Sequence, residues 1–167
     1  PRNKNQLIYN THIGTVKHFY GYRYTLGGIV SIKAADFEKI NGFPNYWAWG
    51  FEDNALQHRS NAHNLIIDRS QFYKMLDTTN IIHLNESTIR NVNKGEFEKY
   101  IHKIDDGLHT ISNLEYEFDI DTNFVNVKHF DVPYEANNTL DKLYVLRNGI
   151  VPFKRTGRQG SMRMNYI

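Results

Sequence analysis

Hydrophobic and polar positions change period several times along this chain, and each change predicts an element. Residues 22–32, YRYTLGGIVSI, read as a β-segment interrupted at Gly27-Gly28, where the backbone approaches another group closely. AADFEKIN (34–41) places Phe37 and Ile40 on one face of a short helix that Gly42 stops. A second helix is expected from about Glu52 to His63. LIID (65–68) and NIIHL (80–84) are short apolar runs that predict buried strands. A polar loop over 85–95 leads into a helix, GEFEKYIHKIDD. Residues 108–119 and 123–132 predict two strands around a turn. In LYVLRNGIVPF, Asn148-Gly149 between two β-like runs is a hairpin signal. Strands interleaved with helices predict an α/β fold, a mixed sheet with helices packed on it.

Composition narrows the function classes. The chain has 167 residues, enough for one domain with a sizeable core. Of its 23 aromatic rings 11 are tyrosines, which suit sugar-binding surfaces but also fill β-rich cores, and composition alone favours the core. A net charge of +2 gives no overall nucleic-acid footprint, and Lys154, Arg155, Arg158 and Arg163 are expected to form a solvated or disordered basic tail rather than a binding patch. There is no cysteine, hence no disulfide and no thiolate metal site. No apolar run approaches the roughly 20 residues of a membrane helix, and no signal peptide is visible. The chain opens PRNKNQ without methionine, as a fragment would. Its Asn, Ile, Lys and Tyr suggest an A/T-rich genome, bacterial or viral. A cytoplasmic enzyme of glycan assembly is expected, with a Golgi-type lumenal location as the alternative. The Asn85-Glu86-Ser87 triplet does not establish secretion.

Residues 41–59, NGFPNYWAWGFEDNALQHR, concentrate the candidate chemistry. Glu52 and Asp53 open a predicted helix, where the positive end of the dipole favours ionised carboxylates by ~0.3–1 kcal/mol. Such acids are common at helix starts without any function. The preceding WAWG adds a second observation. Trp47 and Trp49 alternate and so face one way in an extended segment, with Gly50 as a hinge. A tryptophan face suits the C–H face of a sugar, and a nearby carboxylate can take a hydroxyl proton. Core packing is the competing role for either ring.

YTLGGIVSIKAADFEKINGFPNYWAWGFEDNALQHR resembles the C-terminal part of the catalytic domain in the β-1,4-galactosyltransferase family, the family 7 glycosyltransferases. That family shows Phe-Gly-Gly-Val-Ser, then Ile-Asn-Gly-Phe-Pro-Asn, then Trp-Gly-Trp-Gly-Gly-Glu-Asp-Asp. IDDGLHTISNLEYEF (104–118) is similar to its Ser-Asp-Gly-Leu segment and following strand, and FVNVKHFDV (124–132) to its closing strand. The resemblance implies a GT-A type fold, of which residues 1–132 would be the acceptor-side part and 133–167 an extension with a hairpin and basic tail. It implies inverting transfer from a UDP-sugar donor to a glycan or glycoconjugate hydroxyl, with Mn²⁺. Asp53 matches the catalytic base. Glu52 matches the neighbour that holds the donor sugar, Trp49 the closing lid, and Gly50 part of its hinge. Gly28 matches the glycine lining the sugar site, and Tyr22 a tyrosine near the acceptor. His83 matches a metal-binding histidine, and a neutral imidazole suits Mn²⁺ among nitrogen ligands.

Departures from the family refine these expectations. Asn80 stands in place of a methionine ligand, an altered donor rather than an abolished one. Asn54 replaces an aspartate that touches the acceptor, which opens acceptor identity. Thr25 replaces a tyrosine that crowds the donor's C2 substituent, so N-acetylgalactosamine is as plausible a donor sugar as galactose. The 26 residues before Gly27 contain no acid, whereas the family has a metal- and nucleotide-binding Asp-Val-Asp upstream. The nucleotide-binding half is therefore expected on a longer chain or a second polypeptide. A non-catalytic carbohydrate-binding or interaction module derived from this fold is the alternative. Neither nucleic acid nor a membrane segment is expected as partner.

Overall fold

A computed structural model describes residues 7–45, 48–84, 89–101, 106–133 and 138–145. Its central strand, β1 (Thr15–Gly21), pairs antiparallel with β2 (Ile29–Ser31) and parallel with β3 (Ile66–Asp68) and the short β4 (Tyr73–Lys74). The sheet is thus mixed. A position between other strands explains why β1 is buried at Val16, His18, Phe19 and Tyr20 in near succession rather than alternately. Such a strand shows no period of two, and its sequence pattern does not predict it.

Two helices lie on this sheet in chain order, α1 (Ala34–Lys39) and α2 (Glu52–Ala62). Ile40, just past α1, and Leu56 of α2 enter one apolar cluster with Val16, Leu26 and Leu65. Val30, Ile32, Phe37, Phe43 and Ile67 pack around it. Removing each such side chain from water stabilises the fold by about 1.5–3 kcal/mol.

The expected strand over 80–84 is absent. Asp77 Oδ1 accepts the backbone N–H groups of Thr79 and Asn80, which makes a polar turn, and of the following residues Ile81 is buried while Ile82 and Leu84 are exposed. The expected polar loop instead ends in a strand, β5 (Ile89–Asn93), which runs directly into α3 (Lys94–Ile101). β5 pairs antiparallel with β8 (Asp141–Val145), so part of the 133–167 segment is hydrogen-bonded to an earlier strand. The Asn148-Gly149 hairpin signal lies outside the described residues.

β6 (Ser112–Asp119) and β7 (Phe124–Asp131) form the expected hairpin, a separate two-stranded sheet. Tyr116 faces Val127 and Phe118 faces Val125 across it. Among the described residues the architecture is mixed α/β with three sheets, compatible with part of a glycosyltransferase domain. No helix among the described residues is long and apolar enough to cross a membrane.

Candidate active site at the start of helix α2

The segment before α2 is held at three points. Trp49 N–H donates to Asn91 O of β5 at 2.8 Å, and Phe51 sets its ring 4.7 Å from that of Phe97. Gly50 (φ 127°) and Phe51 (φ 70°) then turn the chain into the helix. The Phe51 conformation is rare for a bulky residue and is sustained here by its ring contact. Gly50 N–H donates to Glu52 Oε2 at 2.8 Å. The Glu52 carboxylate therefore holds the hinge that precedes it. Trp47 lies outside the described residues.

Asp53 follows on the helix and meets the Gly27-Gly28 segment. Leu26 N–H donates to Asp53 O at 3.1 Å. A Cβ built on Gly27 would overlap the Asp53 carboxyl group, so that carboxyl rests directly on the peptide of residue 27. The close approach expected at the paired glycines is thus to an acid. Burial, and secondarily the charge of Glu52, raise the Asp53 carboxyl from 3.8 to about 6. Gly28 (φ 75°) is needed for a second reason: any Cβ there would strike the Tyr20 carbonyl. Thr25 is buried and its hydroxyl donates to Tyr22 O at 3.4 Å. Tyr22 and Asn54 are half-buried. Tyr22, Thr25, Gly28 and Asp53 are thereby linked through one turn and one helix start.

His83 joins another group. Its Nε2 lies 3.5 Å from the Tyr20 hydroxyl, which also donates to Met75 Sδ at 3.2 Å and accepts Leu76 N–H at 3.3 Å. The Asn80 amide nitrogen donates to both oxygens of Asp77, at 3.3 and 3.0 Å. Among the described residues no group of three or more His, Asp or Glu is placed to hold a metal ion. Residues 80 and 83 do not by themselves fit a complete Mn²⁺ site.

Two polar groups here went unread in the sequence. The first is His18, fully buried in β1. Arg69 Nε–H donates to His18 Nδ1 at 3.0 Å, which leaves the proton on Nε2, and Nε2–H is shared between the carbonyls of Tyr20 and Gly27, both at 3.0 Å. Burial, and next the Arg69 charge, lower this imidazole from 6.5 to about 4, so it is neutral at physiological pH. The second is Asp106, buried after α3. Its Oδ2 accepts Asn45 N–H at 2.9 Å, and its Oδ1 sits 3.8 Å from the Arg59 guanidinium. Arg59 also donates to Asn41 O at 2.9 Å, Gly42 O at 2.8 Å and Asp106 O. The Asn45 side chain donates to Gly107 O and Thr110 Oγ1. The NGFPN and DGLHT segments are therefore locked together through α2. His18 has no sequence signature, and Asp106 falls in the IDDGL segment without its pairing being readable there; both are paired by distant parts of the chain.

Two surface concavities lie elsewhere, one lined by Glu38, Asn41, Leu108 and His109 and the other on the β6–β7 hairpin.

Residues 10–87 match a family model described as the N-terminal domain of galactosyltransferase. That span contains every candidate site residue. The β-1,4-galactosyltransferase 4 of Rattus norvegicus is 42% identical over 53 residues, 30% of this chain and 15% of the relative. The β-1,4-galactosyltransferase 5 of Homo sapiens is 46% identical over 46 residues, 26% of this chain and 12% of the relative. The xylosylprotein 4-β-galactosyltransferase of Caenorhabditis elegans is 37% identical over 56 residues, covering 28% and 19% respectively. The resemblance to the β-1,4-galactosyltransferase family is shown over this segment. The matches span less than a fifth of each relative's length, and the similarities at 104–118 and 124–132 lie outside the family match. No solved structure matches the chain.

Proposed function

We propose, on the galactosyltransferase-type segment at residues 10–87, that this chain carries the acceptor side of an inverting glycosyltransferase site with Asp53 as its base. One observation carries the reading: within the matched segment, a carboxyl group raised to about 6 rests on the Gly27 peptide at a helix start. A base near neutrality suits an alcohol that becomes acidic only as it reacts. In this reading Asp53 accepts the acceptor hydroxyl's proton as that oxygen bonds to the donor's anomeric carbon. The bond from that carbon to the diphosphate breaks, and the nucleoside diphosphate leaves with the electron pair. Attack opposite the leaving group inverts the centre.

The surrounding residues position rather than react. Glu52 fixes Gly50 and hence the approach of the Trp49 segment. Closure of that segment over the donor would exclude water, which competes with the acceptor as nucleophile. Thr25, with its hydroxyl turned to Tyr22 O, presents little bulk, and the reading therefore includes N-acetylgalactosamine beside galactose as donor sugar. Manganese dependence belongs to the reading through the resemblance, and a bound ion would neutralise charge on the departing diphosphate. Of the described residues His83 offers an imidazole, and no step above depends on the metal.

The test is transfer and hydrolysis of UDP-galactose and UDP-N-acetylgalactosamine by the full-length protein against a panel of sugar acceptors with Mn²⁺. Asp53→Asn is expected to lower transfer by about 10²–10⁴-fold. Full activity in that variant overturns the base assignment. Sugar binding without turnover of any donor supports the non-catalytic alternative instead.

A further inference from the structure

We propose that the buried His18–Arg69 pair positions the Gly27 peptide and, through it, the Asp53 carboxyl group, so that both are positioning residues of this site. The inference rests on the reading of Asp53 as base.

The segment carrying Gly27 is held at three consecutive residues: Thr25 O by Arg69 at 3.4 Å, Leu26 N by Asp53 O at 3.1 Å, and Gly27 O by His18 Nε2–H at 3.0 Å. The same Arg69 guanidinium donates to Gln57 Oε1 at 2.7 Å. Gln57 is four residues beyond Asp53, on the same face of α2 and one turn along. Arg69 thus spans β1, the Thr25–Gly27 turn and the acid-bearing helix. His18 is locked in turn, with Phe72 packed 4.7 Å from its ring. The gap between the Gly27 peptide and α2 is what the Asp53 carboxyl fills, and this network sets its width. A strand interior that required only bulk at residue 18 would be filled more cheaply by an apolar ring. An imidazole with both nitrogens committed is worth burying where one tautomer must hold particular carbonyls.

The experiment compares His18→Phe, which keeps the ring packing and loses both polar contacts, with His18→Gln, which keeps a donor for Gly27 O. Arg69→Lys keeps the charge but cannot reach His18, Thr25 and Gln57 together. The first readout is the titration of the Asp53 carboxyl carbon by NMR, which requires no activity. The expected result is a midpoint lower by about one pH unit in His18→Phe and Arg69→Lys as water enters the loosened gap. His18→Gln should restore most of the wild-type midpoint. The acid limb of transfer is expected to follow, with kcat lower by about tenfold and KM little changed. Cooperative folding of His18→Phe and Arg69→Lys with an unshifted Asp53 midpoint overturns the inference and leaves His18 a core residue only. Should His18→Phe not fold, Arg69→Lys, at the half-exposed end of the network, decides by the same reading. If the midpoints move as expected but the wild type transfers no sugar, the coupling of His18 and Arg69 to Asp53 stands, while the proposed function falls and with it their positioning role in transfer.

Discussion

Two groups that both meet the Gly27 peptide, His18 and Asp53, are shifted in opposite directions, and their opposition can be measured in stability alone. Asp53 stays protonated in the folded chain up to about 6, whereas an unfolded aspartate loses its proton near 3.8. Stability from this group therefore falls as pH rises through that window, and the loss is complete above it. His18 is held to about 4 against an ordinary 6.5. The unfolded chain takes up that proton first, so stability from His18 falls as pH drops from 6.5 to 4. At about 1.4 kcal/mol per pH unit, the fully buried His18 contributes up to about 3 kcal/mol. Asp53 has a similar span but is partly exposed, and solvent screening reduces it to about 1–2 kcal/mol. Urea unfolding of wild type and Asp53→Asn between pH 4 and 8 isolates the aspartate by difference. The variant should be the more stable by about 1–2 kcal/mol at pH 7.5, with the gap closing near pH 4. It should also lose stability on acidification more steeply than wild type, because nothing then opposes His18. A gap independent of pH, or a variant less stable than wild type at pH 7.5, refutes the account of Asp53 as an acid whose ionisation is opposed by its partial burial.

Gly27→Ala should leave the fold intact but displace the Asp53 carboxyl that its Cβ would overlap, lowering transfer at least about tenfold in initial-rate assays. Arg59→Met removes the donors to Asn41 O, Gly42 O and Asp106 and leaves a buried carboxylate uncompensated, so urea unfolding should show a loss of about 3–5 kcal/mol. Lys128→Met breaks an exposed ion pair with Glu117 and should change stability by less than about 0.5 kcal/mol in the same assay.

Much of the fold was legible where the pattern is local. The helix over 34–39, the helix opening at Glu52 and the β6–β7 hairpin follow the expected ranges within a few residues. β1 was not legible, because a strand flanked on both sides is buried at successive positions and carries Lys17 and His18 besides. NIIHL has the composition of a strand, but the Asp77 turn before it satisfies the backbone locally and no strand among the described residues pairs with it. β5 has the pattern of a loop because its partner, β8, lies about fifty residues further on.

By itself the sequence determined which residues could carry chemistry: the run from Gly27-Gly28 to Glu52-Asp53 and its family resemblance are written in contiguous motifs. Tertiary structure decided how those residues are tuned. That Asp53 rests on the Gly27 peptide, that Glu52 is committed to Gly50, and that Arg69 donates to His18 Nδ1 all depend on pairs separated by 2 to 51 residues. The shifts on Asp53 and His18 come first from burial, and burial is a property of the packed chain rather than of any one segment.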